Sequence, residues 1–157
     1  EFLMSVGLYL AKASGEMRLV SADSHVQPEL DYHLLNHPYD LERMRAGVRM
    51  HLEFGEHPAY EGILKEVIDP LPADLESDDT LDNWLLRSAA TMHHISCTAR
   101  MGNESDPMAV VDQYGRVHGI EGLRVCDLSI MPDCPRANTN SPAMTIGERI
   151  ADFMKAE

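Results

Sequence analysis

The chain has 157 residues, 44% hydrophobic and 25% charged, which suits one ordinary domain with a sizeable core and excludes wholesale disorder. Thirteen basic against 26 acidic residues give a formal net charge of −13, which argues against nucleic acid or an anionic membrane as partner. No apolar run approaches the ~20 residues of a membrane span and no secretory signal is present, so a cytoplasmic protein is expected; Cys97, Cys126 and Cys134 show no CxxC spacing and suit unbridged, mostly buried thiols.

The opening stretch from Glu1 to Ala13 is apolar, with neither an initiating methionine nor a helix cap, so a fragment of a longer chain is expected. Phe2 to Ala13 reads as a strand, Ser14-Gly15-Glu16 as a turn and Met17 to Ala22 as its return strand. Asp40 is a candidate N-cap. Leu41, Met44, Val48 and Leu52 then recur at helical spacing, predicting a helix over 40–53. Pro58 suits the first turn of another helix, with Tyr60, Ile63, Leu64 and Val67 inward, until Asp69-Pro70-Leu71-Pro72 breaks it. Glu76 to Thr80 places acids and a cap before Leu81, Trp84, Leu85 and Ser88; most of the acidic excess of this region is expected to be a solvated face.

Beyond residue 91 the texture changes. Val110 to Asp112 and Arg116 to His118, joined by Gln113-Tyr114-Gly115, predict a short hairpin. Leu123 to Cys126 predicts a buried strand ending at Asp127, and Ser141-Pro142 opens a last helix with Ala143, Ile146, Ile150 and Phe153 inward. A boundary is expected near residue 90.

The chemistry concentrates in 93–142. The last helix offers unpaired N–H groups and a partial positive charge at its start, where Asn138, Thr139 and Asn140 either cap it or hydrogen-bond something flat and polar. His93-His94 precedes the small residues Ser96, Cys97 and Thr98, and a histidine is the usual general base for alcohol chemistry. The bland alternative is a hydrogen-bonded structural histidine. His93, His94 and the three cysteines include zinc-ligand types but lack paired-ligand spacing. Ser96 has no GxSxG turn around it. No GxGxxG or P-loop occurs, so a nucleotide cofactor would need its main phosphate site on missing sequence.

Together, His94-Ile95-Ser96-Cys97-Thr98, Met101-Gly102, Val110-Val111-Asp112, Arg116 to Pro132 and Asn138 to Pro142 resemble the C-terminal region of the glucose–methanol–choline (GMC) oxidoreductases, FAD-dependent enzymes that oxidise alcohols. The likeness extends upstream through Ser14-Gly15, Leu19 and Ser21, and through Gln27-Pro28 to Leu35, covering nearly all of the chain. Two departures stand out. Cys97 occupies a position where glycine is common, so its turn must accommodate a side chain; Asn138 occupies a position where some members have a second histidine.

The resemblance implies an α+β architecture: a substrate-domain sheet with flanking helices over 1–90, and over 91–157 the C-terminal portion of an FAD-binding Rossmann-like α/β domain. It implies His94 as general base and Asn138 as the hydrogen-bonding partner of the alkoxide, with hydride passing to the flavin. FAD would meet His93, Asp127, Leu128, Thr139, Asn140 and Pro142, with the helix start facing its N1–O2 edge. The implied partners are a small alcohol and the missing N-terminal FAD-binding portion, on the same gene product or a partner chain; no metal, nucleic acid or membrane span is expected. A hydroxynitrile-lyase-like enzyme on the same scaffold, or a non-catalytic fragment unless paired with that portion, are the alternatives.

Overall fold

A computed structural model describes residues 3–157, which divide into two compact units, 3–90 and 91–157. In the first, β1 (Glu16–Arg18) pairs antiparallel with β2 (Glu29–Asp31), placing Met17 opposite Leu30, and two helices follow, α1 (Pro38–Gly55) and α2 (Asp78–Ser88). Leu35, Val48, Leu81 and Leu85 form the core, with Val6, Leu8, Met44, Leu52 and Trp84 packed on it. Complete burial of side chains such as Leu81 stabilises by about 1.5–3 kcal/mol each.

The expected opening strand does not form from Leu3 to Ala13; Phe2 lies outside the described residues. Leu10 turns left-handed at φ 50°, and side chains of α1 take the backbone groups that a partner strand would have paired. The Asp40 carboxylate accepts the N–H groups of Lys12 (2.8 Å) and Ala13 (2.8 Å), and Arg43 donates to the carbonyls of Tyr9 (2.8 Å) and Leu10 (3.1 Å). The true partner of 16–18 is therefore 29–31. Gly15 is required beside this ribbon, because a Cβ there would lie 2.1 Å from the Asp31 carbonyl oxygen. The substrate-domain sheet implied by the resemblance is, among the described residues, this three-residue pair.

Asp40 is not the N-cap of α1. His37 caps it by accepting the Tyr39 N–H (3.2 Å), Pro38 takes the first position, and Asp40 sits fully buried in the first turn. The helix expected after Pro58 stops after one 3-10 turn, Pro58–Tyr60, and Gly62 then adopts φ +77°. Ile63 is consequently 70% exposed and Val67 56%. Ser77 caps α2 by accepting the Thr80 N–H (3.1 Å), and Thr80 accepts in return from Ser77 N–H (2.9 Å).

Most acids of the middle region are exposed, as a solvated face requires, and three of them are also held by arginines. Asp82 receives Arg45 at 2.7 Å, Asp78 receives Arg49 at 2.5 Å, and Asp74 pairs with Arg87. Hydrogen bonding to Arg87 and to Arg49, respectively, holds Asp74 and Asp78 below the usual carboxylate range.

In the second unit α3 (Asn140–Lys155) packs Ile150 against Val111 and Ile130, with Met101, Val117, Val125, Ile146 and Phe153 around them. The expected hairpin reduces to an antiparallel bridge between Val111 and Val117, closed by Gly115 at φ +74°. Glycine is obligatory there: a Cβ would meet the Val125 carbonyl oxygen at 2.6 Å. Residues 123–126 are not a buried strand. Arg124 makes a single bridge to Arg116, while Leu123 and Cys126 are exposed. The Glu157 carboxylate clasps this region, pairing with Arg124 at 2.5 Å and with Arg116; these two guanidiniums, Arg124 first, pull its pKa down to about 2. Among the described residues no helix is long and apolar enough to cross a membrane.

Candidate active site around His94

His94 is half-buried in a segment bracketed by two left-handed residues, His93 (φ 61°) and Cys97 (φ 72°). An L-residue at positive φ costs on the order of 1–2 kcal/mol, so the turn retains a glycine-like backbone at Cys97 in spite of the side chain. The Cys97 thiol donates to Ser96 Oγ at 3.3 Å.

The segment after His94 is tied to a 3-10 turn, Leu128–Ile130. Cys97 N–H donates to the Leu128 carbonyl (3.2 Å), Ala99 N–H to Ser129 (2.9 Å) and Met101 N–H to Ile130 (2.8 Å). Asp127 caps that turn by accepting the Ser129 N–H at 2.8 Å. Buried Ile130 carries the whole assembly into the core, so the position of His94 is inherited from hydrophobic packing through three main-chain bonds. Further along, His118 lies with Nε2 3.2 Å from the Gly102 carbonyl.

On the other side of the site stands the start of α3. Nδ1 of His94 lies 2.8 Å from the hydroxyl of Thr139, which is 3% exposed. Thr139 is the N-cap residue, yet its hydroxyl makes no capping bond and its backbone sits at φ −97°, ψ 0° instead of the extended conformation usual there. Leaving a helix without that bond costs about 1 kcal/mol. The hydroxyl faces the histidine instead.

Of the residues singled out from the sequence, His94 and Thr139 are thus in direct contact, and Asn138, exposed, is the neighbour of Thr139 in the chain. His93 is exposed, its N–H donating to Thr91 Oγ1 at 3.0 Å. Leu128 is half-buried and gives its carbonyl to Cys97; Asn140 is exposed and Pro142 half-buried in the first turn of α3. Asp127 directs its carboxylate into its own turn. The Thr139–His94 link was not read from the sequence, since 45 residues separate the pair and no local rule connects them. Among the described residues no three His, Cys, Asp or Glu side chains gather as a metal site, and no disulfide joins the cysteines.

The arrangement suits an electron-rich, flat cofactor edge. The first turn of α3 contains no acidic residue and receives no side-chain cap from Thr139, and the positive dipole end of a helix start favours an acceptor there.

A family model for the C-terminal part of proteins described as GMC oxidoreductase matches residues 11–147. An oxygen-dependent choline dehydrogenase of Stenotrophomonas maltophilia is 37% identical over 98% of this chain, and one from Chromohalobacter salexigens is 39% identical over the same share. This chain spans 27% of the length of each. Among solved structures, a formate oxidase from Aspergillus oryzae studied for its FAD modification superposes with a TM-score of 0.82 at 30% identity, covering 93% of this chain and 25% of that one. A pyridoxine 4-oxidase from Mesorbium loti gives 0.80 at 28% identity, over 91% and 27%.

Proposed function

This chain belongs to the GMC oxidoreductases, and from that membership we propose that it forms the C-terminal, proton-handling part of an FAD-dependent enzyme that oxidises a small alcohol. The observation that carries the reading is His94: a half-buried imidazole whose Nδ1 lies against the Thr139 hydroxyl at the start of α3. His94 accepts the substrate hydroxyl proton. Asn138, which cannot take a proton, donates its amide hydrogen to the developing alkoxide and so orients the carbinol carbon. FAD, when bound, supplies the acceptor for the hydride that leaves that carbon. His93, Asp127, Leu128, Asn140 and Pro142 would hold it together with the first-turn N–H groups of α3, and Thr139 would contribute through its main chain.

Residues 91–157 then complete a Rossmann-like FAD domain, and residues 1–90 form part of a substrate domain. The phosphate-binding part of FAD would sit on an N-terminal portion, consistent with the quarter of the relatives' length that this chain spans. Large apolar side chains left in solvent, such as Leu19 at 83%, support a role within a larger body.

The test is anaerobic mixing of the full-length flavoprotein with choline and a panel of small primary alcohols. The flavin should bleach with at least one of them while an aldehyde forms. A flavin that stays oxidised while a cyanohydrin is split would replace this reading with a lyase on the same scaffold. A protein that takes up no FAD, even with the N-terminal portion present, would leave no catalytic role for the site.

A further inference from the structure

Two features of Thr139 are unexplained by helix formation: its hydroxyl is buried, and it is turned away from the N–H groups that an N-cap threonine ordinarily serves. Both are accounted for by the 2.8 Å contact with Nδ1 of His94. A neutral imidazole carries one proton over two nitrogens, so whatever Nδ1 does decides what Nε2 can do. Were Thr139 the donor, the ring proton would sit on Nε2 and that nitrogen could accept nothing from a substrate. With Nδ1–H as donor and Thr139 Oγ1 as acceptor, Nε2 keeps its lone pair.

Resting on the reading of His94 as the base, we propose that Thr139 is its positioning residue: the buried hydroxyl accepts the Nδ1 proton, fixes the ring plane and makes Nε2 the proton-accepting atom. The anchor is rigid at both ends. Thr139 opens a helix held in the core by Ile150, and His94 lies between two left-handed residues in a segment bonded to Leu128–Ile130. The tautomer is therefore set before substrate arrives, as preorganisation requires.

The experiment uses the full-length holoenzyme with ¹⁵N-labelled histidine rings, His94 being assigned by its absence in His94→Gln. The expected result is a neutral ring protonated at Nδ1 and bare at Nε2; a ring protonated at Nε2 overturns the proposal. In parallel, flavin reduction is timed. Thr139→Val, which keeps the shape and removes the oxygen, should slow reduction on the order of 10–100-fold with KM little changed. Thr139→Ser should restore most of the rate. A Thr139→Val enzyme that keeps its flavin and reduces it at the native rate overturns the positioning role, and if Thr139→Val loses its flavin, Thr139→Ser and the native ring spectrum decide. His94→Ala separates the two levels. A native reduction rate in that variant sinks the base reading and this inference with it, whereas slow reduction by His94→Ala together with a native His94 ring that carries no proton on Nδ1 sinks this inference alone.

Discussion

Residues 3–90 are organised by two helices whose arginines and acids interlock. Residues 91–157, by contrast, combine one long helix with loops joined by single bridges and main-chain hydrogen bonds. In the first unit the chain runs irregularly over a helical core, and Asp40 and Arg43 satisfy its backbone where a strand would otherwise be needed. In the second, three buried residues, Val111, Ile130 and Ile150, hold a network whose output is the placement of His94. A site that needs a left-handed turn, a diverted cap and a close loop crossing is poorly served by regular strands. The proposed chemistry falls on the irregular unit for that reason, while the regular unit is built around a helical core.

That contrast can be broken most forcefully at Asp40. Asp40→Ala strands the N–H groups of Lys12 and Ala13 and should destabilise the first unit by about 2–4 kcal/mol. Hydrogen exchange in the full-length enzyme should accelerate over 9–13 and early α1 while protection over 97–130 is unchanged; acceleration in both units would mean that they are not separately organised. The mirror experiment is Gly115→Ala. Its Cβ meets the Val125 carbonyl at a left-handed backbone, so a loss of about 2 kcal/mol is expected, confined to 91–157.

A finer distinction comes from Cys97. Cys97→Gly relieves the positive φ and should leave thermal stability within about 1 kcal/mol of the parent, whereas β-branched Cys97→Val should cost about 1–2 kcal/mol. Equal effects of the two would remove the argument for a strained turn beside His94.

The smallest expected effect is the acid response of the Glu157 clasp. Its folded pKa, about 2, lies below the ordinary value of 4.5, so the clasp contributes fully above that ordinary value and is lost as pH falls through about 2. Melting temperatures of the native protein and Glu157→Gln should differ slightly at pH 6 and converge across that window; a gap that persists at the acid end would contradict the assignment. Exposure keeps the difference small.

How far the sequence discloses all this depends on whether the deciding interaction is local. The acids and cap candidate within 76–80, followed by Leu81, Trp84 and Leu85, made α2 readable, and the 3.6-residue recurrence of Leu41, Met44, Val48 and Leu52 did the same for α1. Asp40 misleads as a cap because its carboxylate serves Lys12 and Ala13, 28 and 27 residues away. The apolar opening misleads as a strand because Val6 and Leu8 pack on helices and pair with no neighbour. At the site, His94 stands out through the ordered motifs from 94 to 142, whereas the tie from His94 to Thr139 exists only once the chain has folded. The resemblance assigns Asp127 to the cofactor through its backbone, and its side chain holds the turn that anchors the histidine segment, a role no local rule disclosed.

The central claim, that His94 takes the alcohol's proton, is tested most directly by rapid anaerobic mixing of native and His94→Ala holoenzymes with the best alcohol substrate. Reduction of the flavin should slow by about 10²–10⁴-fold with flavin content and melting temperature preserved. Reduction at the native rate in a folded, flavin-loaded His94→Ala enzyme would contradict it.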